Sequence, residues 1–466
     1  MERKYLSFLT SWLNNPMRKP LLVYGARQVG KTTLIYELFG KTHFNKLIYI
    51  DFKIDVAERV FIKNNVDARK IVQFLSIRNN MEIDANTLII FDEIQECISC
   101  LTSLKYFEQF YKDVPIIASG SLIRTKLKQM EYNGSNIKLD PEIDANNQDG
   151  NNNYMFPTGK IDILNMYPMT FNEYLKARNE KLYDYLSNAY KNKDILDDEI
   201  HRLALNSVYE YIALGGMPEV VDTYIKTGSY FSATSQLKNL YSNYLNDFPL
   251  FQISQETINR TRNIFDNIFL QLNKDNKNFK ISLIEKNKRY RDYMYPFDWL
   301  ETGKIINKSH LLKETVHLPL RQSDESLYRV YTCDPGLLSL QTGLSIDNII
   351  TNINKNDYRG LLFENFVAII LADYNIPLFY WCGKSSSELE FLITINDSII
   401  PIDVKKGDKK LASLANYRNH NKNEYAIKVS SNKYGYNNDI KLLTLPLYYF
   451  EFFIEENENK IAKKTF

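Results

Sequence analysis

Cysteine is scarce in this chain, four residues in 466, and that excludes a fold held by disulfides. Cys97 and Cys100 form one CxxC, while Cys333 and Cys382 stand apart. A tetrahedral zinc site wants a second close pair or paired histidines. The five histidines (His43, His201, His310, His317 and His420) are scattered and offer no such spacing. The plainer reading of the CxxC is two small residues on one helix face at i, i+3. Net charge is scarce too: 58 Lys+Arg stand against 56 Asp+Glu, leaving +2. That balance excludes a protein that is basic all over and leaves room for a local basic groove. Long apolar runs are missing, and none approaches the ~20 residues of a membrane helix. The opening MERKYLSFLTSWLNNPMRKP is charged and broken by Pro16, unlike a signal peptide. The expectation is a reduced, soluble, cytoplasmic protein with no membrane partner.

Hydrophobic residues make up 44% of the chain, enough for several cores, and the length suggests about three domains. The preference for Tyr, Asn, Ile and Lys reads as codon bias. Apolar runs at 20–24, 46–51, 87–91 and 114–118 alternate with helical lengths. Runs that are apolar throughout belong to strands covered on both faces, and the alternation predicts a parallel α/β sheet. Residues 140–153, DPEIDANNQDGNNN, have almost nothing to bury and read as a mobile insertion. Residues 159–169 predict one more strand. Residues 170–255 read as mostly helical, broken by a turn at Leu214-Gly-Gly-Met-Pro-Glu219, and 310–320 as strand-like. Nearer the end, a helix at 360–373 precedes a hairpin of 389–395 and 399–404 around Asn396-Asp397.

Gly25-Ala26-Arg27-Gln28-Val29-Gly30-Lys31-Thr32 fits GxxxxGK[ST], after an apolar strand and ahead of a helix. Glycines let the backbone curl so that successive N–H groups aim at phosphate oxygens, and the helix N-terminus adds partial positive charge. The predicted nucleotide contacts therefore run from Gly25 to Thr33. Lys31 would reach the β- and γ-phosphates, and the Thr32 hydroxyl would ligate Mg²⁺. The strand 87–91 ends in Asp92 and Glu93, at the sheet edge where the phosphates would lie. Asp92 suits the Mg²⁺ and Glu93 the attacking water, as general base. An acid beside the metal carboxylate is what a hydrolase wants. The next strand delivers Ser119 and Ser121 to the same edge, where a hydroxyl could sense the γ-phosphate. No NKxD-type guanine-reading motif follows, so ATP with Mg²⁺ is the expected cofactor pair.

GARQVGKTTL, LIIFDEIQ and ASGSLI, in that order, resemble the AAA-superfamily P-loop ATPases of bacteria and archaea that carry a C-terminal domain of unknown function. MYPMTFNEYL, LGGMPEVV, YTCDPGLLSL and RGLLFENFV resemble that C-terminal region. The resemblance implies an α/β P-loop NTPase core with a parallel sheet (1–175), a helical lid (176–255), a winged-helix element (256–345) and a small α/β restriction-nuclease-like end (346–466). One departure stands out: such proteins carry Gly-Arg before the last core strand, where this chain has Gly159-Lys160. An absent arginine finger costs on the order of 10³–10⁵ in rate, and lysine lacks the planar fork. Arg27 and Arg124 are the nearest substitutes.

Residues 299–306 resemble the end of a winged-helix recognition helix, preceded by the basic cluster Lys286-Asn-Lys-Arg-Tyr-Arg291. Clustered cations with aromatics can grip a phosphate backbone, but Asp292, Asp298 and Glu301 sit beside or within that helix. Glu390 and Pro401-Ile-Asp403-Val-Lys405, with Glu364 on the preceding helix, resemble the PD-(D/E)XK nuclease core, with Glu390 where the pattern has Asp. Asp403 and Lys405 share one strand face, so Glu364, Glu390 and Asp403 are candidate ligands of a second metal, with Lys405 beside them. Lys405, Lys406, Lys409 and Lys410 read equally as a solvated charge run. Three functional readings follow. The first is an ATP-driven switch or remodeller. The second is an ATP-regulated, Mg²⁺-dependent nuclease or DNA-binding protein, and the third a non-hydrolysing ATP-bound scaffold. The partner is an unidentified protein or nucleic acid, DNA included, and an oligomer is compatible with a finger supplied by a neighbour.

Overall fold

The computed structural model describes residues 1–121, 157, 159–247, 254–352, 358–383, 387–405 and 411–463. The insertion at 140–153, Arg124, and Lys406, Lys409 and Lys410 lie outside them. The described chain packs as two units, Glu2–Met166 and Tyr167–Phe466, with Met1 grouped with the second.

The first unit is built on five strands: β1 (Leu21–Gly25), β2 (Lys46–Asp51), β3 (Thr87–Asp92), β4 (Ile116–Gly120) and β5 (Asp162–Met166). Their order is β2-β3-β4-β1-β5, every neighbouring pair parallel. β1 and β3 are buried at every residue, as expected of strands covered by helices on both faces. A parallel sheet gathers the carboxyl ends of its strands on one edge, so Gly25, Asp92 and Gly120 share that edge. The register confirms it: Tyr24 pairs with Gly120, Phe91 with Ala118, and Asp92 with Asp51.

Two strand expectations shift. β4 starts at Ile116 rather than Val114, because Pro115 gives the ladder only its carbonyl, to the Ile89 N–H. β5 stops at Met166, ahead of Pro168 and of Thr170, whose hydroxyl and Glu173 form a capping box that starts the helix Phe171–Arg178. The CxxC packs into the apolar core of this sheet. Cys97 precedes the helix Ile98–Phe110 and Cys100 lies in its first turn, both free and buried.

In the second unit the helices Phe171–Arg178, Glu180–Asn192, Asp198–Leu214, Pro218–Thr227 and Tyr230–Asp247 come first. A later helix, Tyr290–Thr302, leads into β6 (Ile306–Leu311), paired antiparallel with β7 (Tyr328–Thr332) and parallel with β8 (Phe379–Cys382), which pairs with β9 (Glu388–Leu389). The strand-like stretch at 310–320 is thus strand only to Leu311. Beyond the helix Arg359–Asp373, the expected hairpin forms as β10 (Phe391–Ile395) and β11 (Ser398–Val404), with positive φ at Asn396 and Asp397. It extends into β12 (Ala426–Ser430), β13 (Gly435–Asn437) and β14 (Leu442–Pro446), in the order β10-β11-β12-β14-β13.

LGGMPE and CDPGLL, two segments the sequence marks without explaining, meet in this unit. Asp334, fully buried, caps its own helix Pro335–Gln341 by accepting from the Leu337 N–H at 3.2 Å. It also accepts from the Gly216 N–H at 2.7 Å. A Cβ on Gly216 would stand 1.9 Å from the Met169 carbonyl, and one on Gly215 2.1 Å from Asp334 Oδ1. Only glycine permits that approach.

Candidate functional site

The P-loop leaves β1 at Gly25 and bends with positive φ at Gln28 (61°) and Gly30 (89°). Such a bend turns successive N–H groups toward one point. Gly25 is held against the next strand, where a Cβ would lie 2.1 Å from the Met166 carbonyl. Ala26 and Val29 are buried, and the Arg3 guanidinium braces the loop by donating to the Val29 carbonyl at 2.8 Å. The chain then enters a helix whose turns from Thr33 to Gly40 are π-wound, a rare winding that is frequent at functional sites. Arg27 and Gln28 lie at the open side of the loop, and Thr32 and Thr33 are exposed at its end.

Lys31 is buried and donates to the loop carbonyls of Gly25 (3.1 Å) and Ala26 (2.7 Å). Burial pushes its ammonium down to about 8, against the pull of Glu93 and Asp92. A cation held by two neutral carbonyls gains by exchanging them for phosphate oxygens.

Asp92 is the centre of the site. Its Oδ2 accepts from Thr32 Oγ1 at 2.6 Å and from the Tyr49 hydroxyl at 2.9 Å. Its Oδ1 accepts from the Ser119 hydroxyl and from the Glu93 N–H, the latter at 2.9 Å. The P-loop threonine, the strand-end carboxylate and the β4 serine, far apart in sequence, therefore form one bonded group. Ser121, just past the end of β4, is buried, its hydroxyl without a hydrogen-bond partner among the described residues.

Glu93 sits in the left-handed region, φ 53° and ψ 43°, with a carboxylate that pairs with Lys53 Nζ at 3.0 Å and accepts from the Gln95 amide. Left-handed backbone costs a non-glycine residue on the order of 1 kcal/mol and tends to persist where function requires it.

The donor set fits Mg²⁺ and a triphosphate: a threonine hydroxyl and a carboxylate in contact, a lysine inside the loop, and a second acid one residue on. Lys160 lies elsewhere. It precedes β5, where Asp162 pairs with Leu21 at the start of β1, so it is at the sheet edge away from the P-loop. There it pairs with Glu108 at 3.0 Å. Arg27 is the one described substitute on the loop itself.

The structure also brings together the C-terminal residues singled out in the sequence. Lys405 Nζ lies 2.7 Å from Asp403 Oδ1 and 3.4 Å from Glu390 Oε1, and Glu390 Oε2 accepts from the Val404 N–H at 3.0 Å. Burial and the Glu390 charge raise the Asp403 carboxyl to about 8. Glu364 pairs with Lys277, which also meets Glu388 at 2.8 Å, and Glu388 bonds the buried Arg329. Among the described residues no three His, Cys, Asp or Glu side chains are grouped to hold a metal. Lys277, Arg329 and Lys405 are the cations paired with these side chains.

Sequence reasoning missed Tyr49, Lys53, Gln95 and Arg3. Tyr49 had a usable signal: it shares a strand face with Asp51, and Asp51 pairs in register with Asp92. Arg3, remote in sequence from the loop it braces, had none.

Comparison with known proteins agrees on the first unit. Residues 17–138 match an AAA domain, which agrees with the P-loop NTPase α/β fold of the sheet and loop described above. Residues 205–348 and 359–448 match two domains of unknown function, DUF8612 and DUF4143. No curated protein matches the chain. Among solved structures, the chain is similar to the Signal Transduction ATPase with Numerous Domains (STAND) protein with a tetratricopeptide repeat sensor from Pyrococcus horikoshii. It is 13% identical over 80% of this chain and 45% of that one, with a TM-score of 0.25. The chain thus spans less than half of that protein's length. No described helix is long and apolar enough to cross a membrane.

Proposed function

We propose that the chain binds Mg-ATP at 25–33, hydrolyses it with Glu93 as general base, and uses the cycle as a switch on a partner. The observation that carries this is the direct bond between the Thr32 hydroxyl and the Asp92 carboxylate at the mouth of the P-loop, with Glu93 as the next residue. Thr32 and Asp92 would hold the Mg²⁺, which supplies charge neutralisation at the phosphates. Lys31 gives up the Gly25 and Ala26 carbonyls for β- and γ-oxygens. Glu93, once released from Lys53, takes the proton of the attacking water, and Ser119 keeps Asp92 in place. In this reading 176–255 serve as the lid, 256–345 as a winged-helix-like element and 346–466 as a nuclease-like end that acts as scaffold. The helical run, the β6–β7 pair after the helix Tyr290–Thr302, and the β10–β11 hairpin support those assignments. Phosphate release from Mg-ATP by wild type, with and without duplex DNA, against Lys31→Ala is the test. Release that falls at least ~100-fold in the variant is expected. Equal release by both proteins would refute the assignment.

A further inference from the structure

We infer that Tyr49 is a positioning residue for Asp92, holding its carboxylate in the orientation that receives the magnesium of Mg-ATP. This assignment rests on the ATP reading of the site.

Tyr49 stands on β2, the edge strand of the sheet, next to the strand that carries Asp92. Its hydroxyl reaches Asp92 Oδ2 at 2.9 Å, the same oxygen that accepts from Thr32 at 2.6 Å. Oδ1 is taken by the Ser119 hydroxyl and the Glu93 N–H. Asp92 is 3% exposed, so an Oδ2 short of a donor would be a buried acceptor left unsatisfied and free to rotate. The Tyr49 ring is itself held, packed against Tyr36 of the π-wound helix at 4.7 Å between centroids. Thr32 must turn a lone pair toward the metal, and Ser119 binds the other oxygen. Tyr49 is therefore the donor that keeps Oδ2 directed while the metal exchanges.

Groups that orient a metal's carboxylate typically alter metal affinity about 10- to 100-fold when removed. The test uses full-length wild type and Tyr49→Phe, with fluorescent mant-ATP binding titrated with MgCl₂ and repeated in EDTA. The expected result is EDTA binding equal to wild type, which also reports an intact P-loop, and a Mg²⁺ half-saturation raised about tenfold. An unchanged Mg²⁺ half-saturation in the variant overturns the assignment while leaving the ATP reading standing. So does equal weakening with and without Mg²⁺, which would mark Tyr49 as a packing residue. If wild type binds no mant-ATP in either condition, the ATP reading and this assignment fall together.

Discussion

Under the proposed function, Glu93 shows in one residue how this site trades stability for chemistry. Its φ of 53° is a conformation that glycine adopts freely and glutamate does not. Its ion pair with Lys53 is partly solvated, 43% and 25% exposed, and returns little. The backbone is held there where the chain passes from β3 into the short turn Ile94–Glu96. Glu93→Gly is therefore expected to be about 0.5–1 kcal/mol more stable than wild type while losing turnover. Thermal melts beside phosphate release read both quantities, and a less stable variant would contradict the strain argument. The same scale separates Lys31 from the surface lysines. It is buried with two carbonyls for company, a poor resting place for a cation and a good one for a phosphate ligand.

Elements decide how much was legible. Strands β1 to β3 could be read almost to the residue, because a buried parallel strand is a continuous apolar run with sharp ends. Where a proline or a capping residue intervened, as at Pro115 and Thr170, the end moved by a few residues. The P-loop and Asp92–Glu93 were legible because their spacing is local. Lys53 and Arg3 were not, and Tyr49 only through the strand face it shares with Asp51, because their partners are set by strand order and packing, which a single sequence does not display. The LGGMPE and CDPGLL segments could be seen and not interpreted. Asp334 explains them as one joint, its carboxylate accepting from two segments at once. Burial lifts this carboxyl to about 6, against the backbone N–H groups that pull it down. A carboxyl whose folded value exceeds its unfolded 3.8 holds its proton more tightly when folded. Its contribution is complete below about pH 4 and is lost as pH rises through 6, a change of about 3 kcal/mol. Asp334→Asn should be less stable throughout and lack this component. Urea unfolding at pH 4 and pH 7 for both proteins measures it, and equal slopes would refute the assignment.

Across the whole molecule, a net charge of only +2 hides two charged clusters with different logic. In the first unit the carboxylates of Asp92 and Glu93 stand beside a loop shaped to receive an anion, and their partners are hydroxyls, a backbone N–H, the Gln95 amide and one half-exposed lysine. In the second, Glu364, Glu388, Glu390 and Asp403 are met by Lys277, Arg329 and Lys405. Breaking such buried pairs is destabilising by about 3–5 kcal/mol, which suits a scaffold more than a site that must open for a substrate. Under the proposed function the ATP chemistry belongs to the first unit, and the chain leaves that unit at Met166, whose carbonyl lies against the first P-loop glycine. The most direct test is Glu93→Gln, measured for Mg-ATP binding and for phosphate release on the same preparation. The account predicts binding within about twofold of wild type and release reduced at least ~100-fold. Release at the wild-type rate would contradict it, removing Glu93 as the base and with it the hydrolytic switch.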